Sequence, residues 1–185
     1  MIVESFQKTG ILPLVCDHNL TTGSEVVYHE LTSGDPDIPQ ILAEEIMTRE
    51  GEIIGLFLTG MIPPYLSAAE TLDLIHDNNG LAIVPHPFCS FRRSSALKEE
   101  TLLELAGRID IIEGFNSRNT HDDEDRRARE FALCHNKPVS VGSDAHHQKD
   151  LGKYWLELEP FGTPEELMRS LGSVTVRFPV MVRGR

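Results

Sequence analysis

The sequence predicts an α/β domain with a mainly parallel sheet wound as a βα-barrel, and three observations carry that expectation. Short apolar runs alternate with amphipathic helical stretches along the chain. The apolar runs are continuous rather than alternating, as in strands buried on both faces. Polar groups suited to chemistry stand where the runs end: Asp17-His18, Glu45, His86, Glu113, Asp144 and His146. A barrel collects its chemistry in this way at the C-terminal ends of many strands, whereas an open doubly wound sheet uses one or two.

The elements follow in order. Ile2, Val3 and Phe6 share a helical face, and Thr9-Gly10 stops the helix. Ile11 to Cys16 is an apolar run expected as a buried strand, ending in Asp17-His18-Asn19. Ser24 to Leu31 is expected as a short helix, followed by a Gly/Asp/Pro-rich loop from Ser33 to Pro39. Ile41 to Met47 and Ile53 to Leu58 are strands joined by the polar turn Arg49-Glu50-Gly51-Glu52. Ser67 with Glu70 forms a capping box for a helix carrying Leu72 and Ile75, which ends at Asn78-Asn79-Gly80. Leu81 to Val84 is a strand running into Pro85-His86-Pro87-Phe88. A helix from Glu99 to Ala106 and a strand from Ile109 to Ile112 lead to Glu113. The next helix, Asp122 to His135, is blocked by Pro138, and Val139 to Val141 is the strand after it. Tyr154 to Leu158 and Val174 to Val176 are expected as further strands, with a Thr163-capped helix reaching Leu171 between them and a basic tail at the end.

Composition narrows the function classes. The chain has 185 residues, the length of one domain with a real core, so residues 1–185 are expected to form a single domain. Its formal net charge of −12 repels phosphodiester backbones, which makes long nucleic acid an unlikely partner. Cys16, Cys89 and Cys134 are widely spaced and odd in number, which fits a reducing, cytoplasmic setting rather than a disulfide framework or a thiolate zinc site. No apolar run is long enough to span a membrane, and the first residues do not read as a signal peptide.

The stretch Gly142-Ser143-Asp144-Ala145-His146 carries the sharpest chemical signal. In extended backbone its aspartate and histidine project to the same side, making half of a divalent-cation site. His86, between two prolines, is expected to be held extended at its strand end. Asp17 and His18 alternate, as do Glu44 and Glu45, so one of each pair is expected to face the site. Arg92, Arg93 and Arg118 are candidates for gripping phosphate oxygens through guanidinium forks, against the plainer reading of solvated surface charges. His29, His76, His121, His135 and His147 read as surface or helix residues.

Five stretches together resemble the PHP (polymerase and histidinol phosphatase) family of metal-dependent phosphoesterases. They are Cys16-Asp17-His18-Asn19, Ala43-Glu44-Glu45-Ile46, Val84-Pro85-His86-Pro87-Phe88, Ile112-Glu113-Gly114-Phe115-Asn116 and Gly142-Ser143-Asp144-Ala145-His146. The resemblance implies a distorted (β/α)7 TIM-like barrel with two or three divalent cations, usually zinc, manganese or iron. It makes His18, Glu45, His86, Asp144 and His146 the metal ligands, with Glu45 bridging.

The sequence also departs from the family. It lacks the first strand with its His-x-His motif, so the barrel is expected to be incomplete at its N-terminus. Where relatives often carry Gly-His, it has Gly51-Glu52; Glu52 offers an oxygen there but is not counted among the ligands. The expected function is hydrolysis of a small phosphate ester or nucleotide by a metal-bound hydroxide, with Arg92 or Arg118 stabilising the phosphoryl oxygens. The rival expectation is a catalytically impaired or truncated relative serving as a binding or assembly module. In either case the open barrel seam invites a homo-oligomer that covers it.

Overall fold

A computed structural model describes residues 1–173, the side chain of Asp122 excepted. The expected strand at Val174 to Val176 and the basic tail lie outside the described residues. In order the elements are α1 (Ile2–Thr9), β1 (Asp17–His18), α2 (Thr22–Gly34), β2 (Ala43–Met47), β3 (Glu52–Leu56) and α3 (Ala68–Asp77). They continue with β4 (Leu81–Val84), α4 (Glu99–Glu104), β5 (Ile111–Asn116), α5 (Asp122–Cys134), β6 (Val139–Gly142) and α6 (Pro164–Ser173).

The six strands form one sheet in chain order. It is mixed rather than mainly parallel. β1 runs parallel to β2, and β4, β5 and β6 are parallel to one another, but β3 is antiparallel to both its neighbours. The reason is local. No helix crosses over between β2 and β3; the Thr48 N–H and hydroxyl both donate to the Gly51 carbonyl, at 2.9 and 2.6 Å, closing a tight hairpin. So short a link only joins antiparallel strands.

Two expected strands are absent. The run Ile11 to Cys16 has no ladder of its own; Pro13 lacks a donor, and its carbonyl instead accepts the Tyr28 hydroxyl at 2.6 Å. Only Asp17 and His18 pair with β2, and Asn19 extends that edge by donating its N–H to the Glu45 carbonyl at 2.9 Å. Tyr154 to Leu158 is likewise irregular. Tyr154 packs on Phe115, ring centroids 4.8 Å apart, so its apolar residues serve packing rather than pairing.

The sheet is buried on both faces. Ile46, Ile53, Ala82, Val84 and Ile112 pack with Leu72 and Ile75 of α3 and Ala128 and Phe131 of α5. Ala43, Leu56, Leu81, Ile83 and Ile111 pack on the other face with Tyr28 and Leu31 of α2 and Leu167 and Leu171 of α6. Period-2 alternation therefore puts Glu45, Glu52 and Glu113 on the second face, with Ala43, Ile54 and Ile111.

That second face is concave. Six strands laid flat at ~4.8 Å spacing would set the sheet's edges about 24 Å apart. Yet the rings of His18, on edge strand β1, and His146, just past edge strand β6, have centroids 6.4 Å apart. The sheet therefore curls so that the loop after β6 comes back toward β1 at one end, and the residues there face a common centre.

Candidate metal centre

The first wall of this centre joins β1, β2, β3 and the end of β4. His18 Nδ1 lies 3.1 Å from Glu45 Oε2 and 3.4 Å from Glu52 Oε1. His86 Nε2 lies 3.6 Å from Glu45 Oε1 and 3.4 Å from Glu52 Oε2. Each carboxylate thus offers one oxygen to each imidazole. Strand register explains the pairing of carboxylates: Glu45 is opposite Ile54 and Glu52 opposite Met47 across the hairpin, so the two acids are diagonal neighbours on one face. Alternation sends Asp17 and Glu44 the other way, as expected. Asp17 lies against Gly23 at the start of α2, and Glu44 is buried with Oε2 accepting the Ile62 N–H at 2.8 Å.

His86 is not extended. Its φ is +32°, a strained value for a residue with a side chain. The proline rule is overridden because the His86 N–H donates to Glu113 Oε2 at 2.6 Å, and the His86 carbonyl accepts from Cys89 at 3.1 Å to close a turn.

The second wall comes from β5, β6 and the loop after β4. Asp144, also at positive φ, is paired with Arg92 and lies 3.9 Å from Arg118 Nη1 and 3.3 Å from His146 Nδ1. Asn116 Nδ2 donates to Asp144 Oδ2 at 3.2 Å and to Glu113 Oε2 at 2.9 Å. Glu113 and Asn116 stand three apart, which in a regular strand would send them to opposite faces. A β-bulge between Glu113 and Phe115 turns both inward. Arg92 is placed by its loop: Ser90 donates its N–H and hydroxyl to Glu124 Oε1, at 2.8 and 2.6 Å, tying the loop to α5. Arg93 is exposed.

Electrostatics follow from burial and crowding. Burial works against a charged His86, but Glu45 and Glu52, with Glu113 behind them, outweigh it and raise its pKa from 6.5 to about 10. Burial, aided by Asp144, lifts Glu113 from 4.5 to about 7, although His86 and Asn116 pull the other way. Burial and then the surrounding carboxylates push the Cys16 thiol well up, so it stays protonated.

These residues fit a divalent cation. The buried His86 Nε2 approaches Glu45 and Glu52 without making a well-formed hydrogen bond to either, so a cation could take the place of its proton between them. Ligand atoms of His18, Glu45 and Glu52 all lie within 4.8 Å of one another. Two ligands each about 2.1 Å from an ion are at most about 4.2 Å apart, so slight contraction encloses one. Imidazole nitrogen with carboxylate oxygen is a donor set for divalent metals.

Of the residues expected from sequence, His18, Glu45 and His86 come together on one wall. Asp144 and His146 come together on the other, with Arg92 and Arg118 beside them. Glu52 was passed over because strand-end reasoning looks at C-terminal ends; in an antiparallel strand the N-terminal end reaches the site. Glu113 and Asn116 acquire their roles through the bulge, for which Gly114 is the visible sequence signal.

Several known proteins are similar to this chain in sequence or in fold. Residues 123–176 match the family described as PHP-associated. An uncharacterized protein of Methanocaldococcus jannaschii is 36% identical over 152 residues, spanning 81% of this chain and 59% of that protein. A second uncharacterized protein of the same organism is 41% identical over 88 residues, 47% of this chain and 50% of its own length. The matches thus span about half to three-fifths of the length of these curated relatives. Among solved structures, a candidate metal-dependent phosphoesterase from Bifidobacterium adolescentis superposes with a TM-score of 0.67 at 15% identity, covering 92% of this chain and 88% of that one. A two-domain protein from Bacteroides vulgatus, containing a predicted PHP-like metal-dependent phosphoesterase, gives 0.63 at 14% identity, covering 85% of this chain and 52% of that one. No helix among the described residues is long and apolar enough to cross a membrane. The chain therefore has the fold of these solved structures, and its residues 123–176 match the family described as PHP-associated.

Proposed function

We propose that the protein hydrolyses a small phosphate ester, or a nucleotide, at a divalent-cation centre held by His18, Glu45, Glu52 and His86, with Asp144 and His146 on the facing wall. The observation that carries this reading is the buried His86 imidazole, between two carboxylates without a well-formed hydrogen bond to either, across from a wall bearing two guanidiniums. Divalent cations bound there would supply Lewis acidity and lower the pKa of water toward ~7.

The chain's own groups supply the rest. Arg92 and Arg118 both reach Asp144, so their forks converge where a phosphoryl group would sit. A phosphoryl dianion is a stronger partner for them than a monovalent carboxylate. Their transfer to it frees the Asp144 oxygens to act as ligands and stabilises charge on the phosphoryl oxygens. The acidic walls repel unneutralised anions, which favours a compact substrate over a long polyanion.

The test is turnover of p-nitrophenyl phosphate and a panel of nucleoside monophosphates, with manganese, zinc or a chelator present. Hydrolysis that the chelator abolishes and manganese restores supports the reading. No hydrolysis with any of the metals refutes it.

A further inference from the structure

We propose that Glu113 is the positioning residue of this centre, holding its two walls in register. The inference deepens the metal-centre reading and rests on it. Glu113 is buried, and its side-chain contacts lead to the walls rather than to the space between them. Its Oε2 accepts the His86 N–H at 2.6 Å and the Asn116 amide at 2.9 Å, and that same amide donates to Asp144 Oδ2 at 3.2 Å. One carboxylate oxygen is therefore shared by the backbone of one candidate ligand and the side-chain partner of another.

The other oxygen, Oε1, is placed by packing against β6. A Cβ on Gly142 would come 1.7 Å from Glu113 Oε1, so the end of β6 must be glycine for the carboxylate to lie where it does. Gly142 stands two residues before Asp144, and its carbonyl accepts the Ser117 N–H at 3.0 Å. Glu113 thus packs directly under the turn that carries Asp144 and His146. On the opposite side its bond to the His86 amide accompanies the positive φ at that residue. Without that acceptor the backbone would relax and carry the imidazole away from Glu45 and Glu52. Partners that orient ligands in this way are worth about 10- to 100-fold in metal affinity.

The test compares E113A, E113Q and G142A with the wild type, using Co2+ as the probe and its visible absorption as the signature of geometry. Amide hydrogen exchange at His86 is followed in the metal-free proteins. E113A is expected to bind Co2+ about tenfold or more weakly, with an altered spectrum and faster exchange at His86. G142A, which expels the carboxylate without removing it, should match it. E113Q keeps an oxygen that accepts both bonds and should restore affinity, spectrum and protection. Wild-type affinity, spectrum and exchange in E113A would overturn the proposal. So would an E113Q as damaged as E113A at equal thermal stability, because the charge and not the positioning would then matter. If the wild type binds no Co2+, the metal-centre reading fails on its own, and exchange at His86 still decides whether Glu113 holds that residue.

Discussion

His86 Nε2 and Glu52 Oε2 meet 3.4 Å apart, one at the end of β4 and the other at the beginning of β3. Only the antiparallel reversal of β3 brings them to the same end of the sheet. That places a second carboxylate beside Glu45, on the inner face. Replacing it, as E52Q, is expected to weaken manganese binding about tenfold or more, the range for a lost metal partner. E44Q, on the opposite face, should leave binding unchanged. Isothermal titration with Mn2+ distinguishes them, and equal affinities for E52Q and the wild type would remove Glu52 from the centre.

Metal binding should be strongly pH-dependent. The metal-free protein keeps a proton on His86 up to about pH 10, and a cation at Nε2 must displace it. Affinity should therefore rise with pH, by up to about tenfold per unit, and each cation bound at pH 8 should release a proton into the buffer. Titrations in buffers of different ionisation enthalpy measure that release.

The same proton affects stability in chelator. Above pH 6.5 an unfolded chain has lost it, while the folded protein retains it to about 10. The folded state then binds more protons, so stability falls as pH rises through that window. Melting temperatures from pH 6 to 10 should decline in the wild type and decline less in H86Q.

Arg92 couples the two ligand types. Its pairing with Asp144 must break for either phosphate or a cation to take its place, so phosphate and manganese should bind cooperatively. R92A should lose at least about tenfold in affinity for inorganic phosphate and abolish the cooperativity. R92K should not restore it, because an ammonium has no fork. Phosphate competition against substrate turnover provides the measurement.

Gly51 is a structural requirement of the hairpin that presents Glu52. Its φ is +137°, and a Cβ there would come 2.5 Å from the Leu97 backbone. G51A should cost more than about 2 kcal/mol and lower the midpoint of urea unfolding. A neutral G51A would show that the hairpin tolerates a different turn.

Much of this was legible in the sequence because strand ends and period-2 alternation are local properties. That one of Asp17 and His18, and one of Glu44 and Glu45, faces the site follows from alternation, as the Ser67–Glu70 capping box follows from spacing; the choice of His18 and Glu45 comes from the family resemblance. What was not legible depends on tertiary contact. The apolar run Ile11 to Cys16 looks like a strand but spends the Pro13 carbonyl on Tyr28. His86 looks extended before Pro87 but is drawn to positive φ beside a carboxylate on the neighbouring strand. The polar turn after Met47 was visible, and its consequence for strand direction is what moves Glu52 from bystander to neighbour of two histidines.

The most direct measurement is metal content and manganese titration of the wild type beside a double variant, E45Q with H86Q. Binding of at least one Mn2+ per wild-type chain and none by the variant is the result expected if the two walls enclose a cation. A wild type that binds no metal, or a double variant that binds as tightly as the wild type, would contradict it.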